Sequence, residues 1–176
     1  MAITDYPITS GWHEIDRVHS SSHSGCDYAL PQNTPLEAIL DGIVIGVSTN
    51  DILGNNIRFK TPDGKIIVYG HLSQFKVKEG DYIHKNQVIG LSGGMPNTVG
   101  GGRSTGPHLH LSVYGSDGIL VDPAPFVINQ AQYNNSSPFL FPVMIIILFI
   151  IFWKLKKYIF YGIAILLLLG VIFISS

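Results

Sequence analysis

From about residue 35 to residue 125 the chain alternates short apolar runs with Gly, Asn, Asp and Pro. The runs fall at 42–47, 56–60, 65–69, 82–83, 87–91 and 109–114 and are rich in Ile and Val. β-Branched runs at close spacing with turn residues between them predict an antiparallel, all-β domain, a small sheet or sandwich. Pro62-Asp63-Gly64 between two runs reads as a hairpin turn. No stretch here keeps a 3.6-residue apolar period long enough to require a helix.

On either side the pattern changes. Residues 1–22 read as a polar, irregular N-terminal segment, the domain proper as 23–126, and the uncharged polar stretch 127–138 as a linker. Two apolar segments follow, at about 139–153 and 158–174, separated by Lys154, Lys156 and Lys157. Each is a little shorter than the roughly 20 residues of a full span, but flanking aromatics and snorkelling lysines extend them. Residues 139–176 are therefore expected to be a membrane anchor of one or two helices.

Composition and charge sharpen this division. The chain of 176 residues carries 11 Lys+Arg and 12 Asp+Glu. Only the three lysines above lie in 139–176, so residues 1–138 hold 11 − 3 = 8 basic against 12 acidic side chains, a net of −4. An acidic domain with no basic stripe is not expected to bind nucleic acid. The single cysteine, Cys26, excludes an intrachain disulfide and is expected to be a small core residue. The first ten residues have neither a basic n-region nor an apolar h-region and are not expected to be a secretory signal. The glycine-rich stretch 92–106 lacks a Gly-Lys-Ser/Thr ending, which argues for a flexible loop beside a site and not a phosphate cradle.

Two short motifs carry candidate chemistry. One is His23-Ser24-Gly25-Cys26-Asp27, the other Gly106-Pro107-His108-Leu109-His110. A strand puts residues i and i+2 on one face, so His108 and His110 project together. His23, Asp27 and His110 offer two imidazole nitrogens and a carboxylate oxygen, a good ligand set for one zinc ion, with a fourth position left for water. That open position separates a catalytic zinc site from a structural one. His108 and His71, beside the metal and not on it, are candidates for proton transfer or oxyanion stabilisation. His13, His19 and His84 are assigned to the surface, with His13 or His19 also able to block the site in a latent form. Asn55 and Arg103 are weaker candidates for substrate contacts.

These blocks occur in a familiar order. His23 to Ala29 with Thr34-Pro35, Ala38 and Asp41-Gly42-Ile43-Val44 resembles the HxxxD block of the lysostaphin-like M23 peptidases. Tyr69-Gly70-His71-Leu72-Ser73 with 77–81 resembles the central His block, Ser104 to His110 the terminal HxH block, and Val121-Asp122-Pro123 the closing turn. The resemblance covers about residues 20–126. Two departures stand out: Gln32-Asn33 replaces the usual glycine before the Thr-Pro pair, and Cys26 takes a position that is usually aliphatic. The resemblance implies one Zn2+ on His23, Asp27 and His110, catalytic histidines at 71 and 108, and peptide bonds of peptidoglycan (stem or cross-bridge) as substrate. The alternative is a catalytically latent module that binds or activates another wall enzyme, and the full ligand set argues for the enzyme. Function then places the domain facing the cell wall. The lysines between the two apolar segments favour the cytoplasm, putting both termini outside; export without a signal is at odds with this, and a phage protein riding on the virion membrane or acting in lysis reconciles the two.

Overall fold

The computed structural model describes residues 3–15 and 22–127. After a 3-10 turn at Ile3–Asp5, ten strands follow in chain order. They are β1 (Ile8–Ser10), β2 (Cys26–Tyr28), β3 (Pro35–Glu37), β4 (Gly42–Asn50), β5 (Gly54–Lys60), β6 (Ile66–Phe75), β7 (Tyr82–Ile83), β8 (Val88–Ser92), β9 (Leu109–Tyr114) and β10 (Leu120–Val121). They form one sheet in the order β1-β2-β9-β6-β5-β4-β7, with β10 on β9 and a β3–β8 ladder branching from β6. Every pairing is antiparallel, as the alternating runs predict.

The predicted turn at Pro62-Asp63-Gly64 joins β5 to β6. Thr61 N–H donates to the Lys65 carbonyl at 2.9 Å, Gly64 N–H to the Thr61 carbonyl at 2.9 Å, and Gly64 takes a positive φ of 89°. Strand alternation builds the core: Ile57 and Phe59 on β5, Ile67 and Tyr69 on β6, and Leu109, Leu111 and Val113 on β9 are fully buried. Buried Tyr69 satisfies its hydroxyl by donating to the Glu37 carbonyl at 2.9 Å and accepting from Ile39 N–H at 3.1 Å. Cys26 is in this core as expected, its thiol pushed up to about 11 by burial and by the Asp122 charge.

Two observations differ from the sequence pattern. Residues 8–10 form a strand on the edge of the sheet, and Ile3 is buried in the core, although the segment is too polar to announce either. Val127, placed at the start of a linker, is also buried. The expected anchor, 139–176, lies outside the described residues, as does His19. Among the described residues no helix is long and apolar enough to cross a membrane.

Candidate metal centre

Three adjacent strands assemble the centre. In the β2–β9 ladder Asp27 stands opposite His110, and in the β6–β9 ladder His110 stands opposite Gly70. Leu109, Leu111 and Val113 turn to the core, so His110 and Ser112 share the other face of β9. Space for the His110 ring is left by glycine. A Cβ on Gly25 would stand 2.9 Å from that ring and 2.3 Å from the Leu111 carbonyl oxygen, so no larger residue fits there.

His23, Asp27 and His110 are each buried and offer ligand atoms within 4.8 Å of one another. His23 Nε2 lies 3.1 Å from His110 Nδ1, His110 Nδ1 lies 2.9 Å from Asp27 Oδ1, and His23 Nε2 lies 3.3 Å from that same oxygen. Ligands of a tetrahedral ion with bonds of about 2.0–2.1 Å sit about 3.3 Å apart, so the triangle is already close to the size zinc requires.

Hydrogen bonding fixes which nitrogens are available. His23 Nδ1 is 3.0 Å from the Gly11 carbonyl. A carbonyl only accepts, so Nδ1 carries the proton and Nε2 presents its lone pair. His23 Nε2 and Asp27 Oδ1 are then two acceptors facing each other in a buried place, a pairing that calls for a cation or a proton between them. His110 Nε2 is 2.8 Å from Ser112 Oγ. That hydroxyl can accept from Nε2–H, which frees Nδ1 as a ligand, or donate to Nε2 when Nδ1–H turns to Asp27. Burial alone would raise the Asp27 carboxyl, but the His110 and His23 imidazoles beside it outweigh burial and hold it well below the ordinary carboxylate range. Burial, partly opposed by Asp27, pushes His110 down and favours the neutral ring that a metal needs.

His71 and His108 flank this triangle. Their ring centroids are 4.5 Å apart, and His71 is 6.1 Å from His110. His71 Nδ1 donates to the Gly101 carbonyl at 2.9 Å and His108 Nδ1 to the Gly106 carbonyl at 2.8 Å, which selects the tautomer whose lone pair is on Nε2 in each neutral ring. His108 Nε2 lies 3.7 Å from Asp27 Oδ2. Burial, reinforced by His108 and His110, lowers His71 to about 4, so it is neutral at pH 7. His71 takes a φ of 60°, the left-handed region, inside a strand. Such strain costs on the order of 1–3 kcal/mol and persists only where neighbours enforce it. Here His71 N–H donates to the Leu53 carbonyl at 2.7 Å.

The glycine-rich loop is pinned, not open. Asn55 N–H donates to the Gly100 carbonyl at 3.0 Å and Arg103 N–H to the Ile52 carbonyl at 3.0 Å, which brings the loop against the β4–β5 turn. Of the weaker candidates, the Asn55 amide oxygen accepts from Thr49 Oγ1 at 2.6 Å, and the Arg103 side chain is exposed. His13 and His84 are exposed as expected. The sequence reading missed Ser112, Gly11, Gly101 and Gly106. Ser112 had a signal, since His108, His110 and Ser112 are the polar positions of one alternating run. The three carbonyls had none.

The profile of Peptidase family M23 matches residues 21–123, which hold all five of these side chains. The chain belongs to peptidase family M23. M23 peptidases are zinc metallopeptidases, and the donor set of this M23 chain fits that ion. It is 35% identical over 122 residues to the peptidoglycan DD-endopeptidase ShyA of Vibrio cholerae, covering 64% of this chain and 27% of that protein. The fold is similar to the catalytic domain of lysostaphin from Staphylococcus simulans, with a TM-score of 0.62 and 30% identity over 71% of this chain and 94% of that one. It is also similar to a solved zinc containing peptidase from Vibrio cholerae, with a TM-score of 0.57 and 32% identity over 66% of this chain and 35% of that one.

Proposed function

We propose that this chain is a zinc metalloendopeptidase that hydrolyses peptide bonds of bacterial peptidoglycan, with His23, Asp27 and His110 as metal ligands and His71 and His108 as catalytic residues. The observation that carries the reading is the convergence of His23 Nε2, His110 Nδ1 and Asp27 Oδ1 within 3.3 Å, beside two further imidazoles. Membership of the M23 family and the likeness to ShyA, named a peptidoglycan DD-endopeptidase, support the substrate class.

Zinc, when bound, supplies Lewis acidity at the scissile carbonyl and makes water a nucleophile near neutral pH. The protein's part is to hold and move protons. The Nδ1–H bonds to Gly101 and Gly106 leave Nε2 as the proton acceptor of each neutral ring. One takes the proton of the attacking water, and the protonated ring then delivers it to the leaving amine. Exposed Arg103 offers a cation to a substrate carboxylate, and Asn55 lies beside the same loop.

The test is to incubate the full chain with purified peptidoglycan and count freed amino groups. Release that stops with chelator and returns with zinc is the expected result, and the new termini name the bond. His71→Ala and His108→Ala should keep zinc and lose about 10²–10⁴ in turnover. Full activity in either variant refutes the role given to that residue.

The hydropathy of 139–153 and 158–174 supports a membrane-tethered enzyme facing the wall. Recovery of the full chain in the membrane fraction of cells that make it is the expected result. Recovery only in the soluble fraction refutes the tether.

A further inference from the structure

The polar residues before the first motif are tied to His23 itself. His23 Nδ1 donates to the Gly11 carbonyl at 3.0 Å and lies 3.2 Å from Ser10 Oγ. On the backbone, His13 N–H donates to the His23 carbonyl at 3.1 Å, and His23 N–H donates to the Glu14 carbonyl at 3.1 Å. Residues 10–14 thus hold this residue by its ring and by both of its backbone groups. Trp12, packed partly buried against the core, anchors the middle of the segment.

The turn that aims the Gly11 carbonyl is closed by one side chain. Gly11 N–H donates to Glu14 Oε2 at 2.6 Å, and Glu14 N–H returns to the Gly11 carbonyl at 3.2 Å. Glycine has the widest choice of backbone angles of any residue, so the direction of this carbonyl depends on an outside restraint. The Glu14 carboxylate provides it. Glu14 side-chain oxygens bond the backbone here, not the ring of His23.

We propose that residues 10–14 form a strap that positions His23 for the metal, with the Glu14 carboxylate as its latch. Glu14 is a positioning residue: through Gly11 it fixes the His23 tautomer and ring direction, leaving Nε2 aimed at Asp27 and His110. Outer partners of metal-binding histidines act in this way, and their removal weakens metal binding about 10–100-fold. The inference rests on the reading of His23 as a metal ligand.

The experiment measures zinc affinity of the full chain in mild detergent by competition with a chromophoric chelator. The absorption spectrum of the cobalt-substituted chain and the thermal midpoint of the metal-free chain are recorded beside it. Glu14→Ala is expected to bind zinc about tenfold more weakly and to shift the cobalt spectrum, with the metal-free midpoint close to wild type. Glu14→Gln, whose amide oxygen still accepts from Gly11 N–H, should restore affinity to within about twofold. Wild-type affinity and spectrum in Glu14→Ala overturn the latch, as does a Glu14→Gln as weak as Glu14→Ala. An affinity loss that follows only a fall in the metal-free midpoint assigns a merely structural role and also overturns it. A wild-type chain that takes up no zinc overturns the metal-site reading and the strap together. Should Glu14→Ala not fold, Ser10→Ala tests the same strap from its other contact with Nδ1; a several-fold loss of affinity supports it and no change overturns it.

Discussion

Replacing Ser112 by alanine removes one oxygen atom from a position that touches no ligand atom of the metal directly. With His110 holding the metal through Nδ1, as proposed, its proton would sit on Nε2, 2.8 Å from Ser112 Oγ. His110 and Ser112 are 5% and 4% exposed, so water does not replace the lost acceptor. An unmade bond at a buried donor costs about 1–3 kcal/mol. The metal-free chain shares part of this cost, because the same hydroxyl bonds Nε2 there in either tautomer. The difference that reaches affinity is about 1–2 kcal/mol, roughly 5- to 30-fold in Kd. Chelator competition on wild type and Ser112→Ala measures it directly, with metal-free unfolding as the control for folding. A Kd within twofold of wild type, in a folded variant, would falsify the idea that this hydroxyl supports the metal-binding form of His110.

Two further perturbations test the frame around the centre. At Gly54, with φ at 57°, a Cβ would stand 2.0 Å from the Gly100 carbonyl oxygen, so Gly54→Ala should lose at least about 2 kcal/mol in urea unfolding. Because the displaced loop carries the Gly101 carbonyl that holds His71, turnover should fall further than zinc content, and wild-type stability would refute the close packing. Acid is the second. His71 drops from an ordinary 6.5 to about 4 on folding, so below pH 6.5 the unfolded chain binds a proton that the folded chain refuses. Its contribution is complete above pH 6.5 and is lost as pH falls to about 4, an effect of about 3 kcal/mol for the metal-free chain. Denaturant titrations of wild type and His71→Gln across this window should converge towards acid, and parallel curves would refute the assignment.

Much of the centre was legible before any fold was known, because its chemistry is carried by local spacing. Alternation along β9 puts His110 and Ser112 on one face, and His108, in a bridge to Gly93 just before the strand, continues the same spacing. His23 and Asp27, four apart with a glycine between them, meet His110 where Gly25 leaves room for its ring. The runs of Ile and Val marked the strands that carry these residues, and the ranges 82–83 and 109–114 match β7 and β9.

Other features have no sequence signal, since they depend on backbone atoms that every residue possesses. The Gly11 and Gly101 carbonyls hold His23 and His71 only because chain segments 12 and 30 residues away arrive beside them, whereas Gly106 holds His108 from two residues away. Likewise β1 is too short and polar to bury an apolar stripe, and its strand form comes from the free edge of β2. The sequence by itself determined the donor atoms and the strand alternation, since both are side-chain properties. Which proton His23 and His71 carry was decided by the tertiary structure, because the Gly11 and Gly101 carbonyls that accept from them arrive from 12 and 30 residues away.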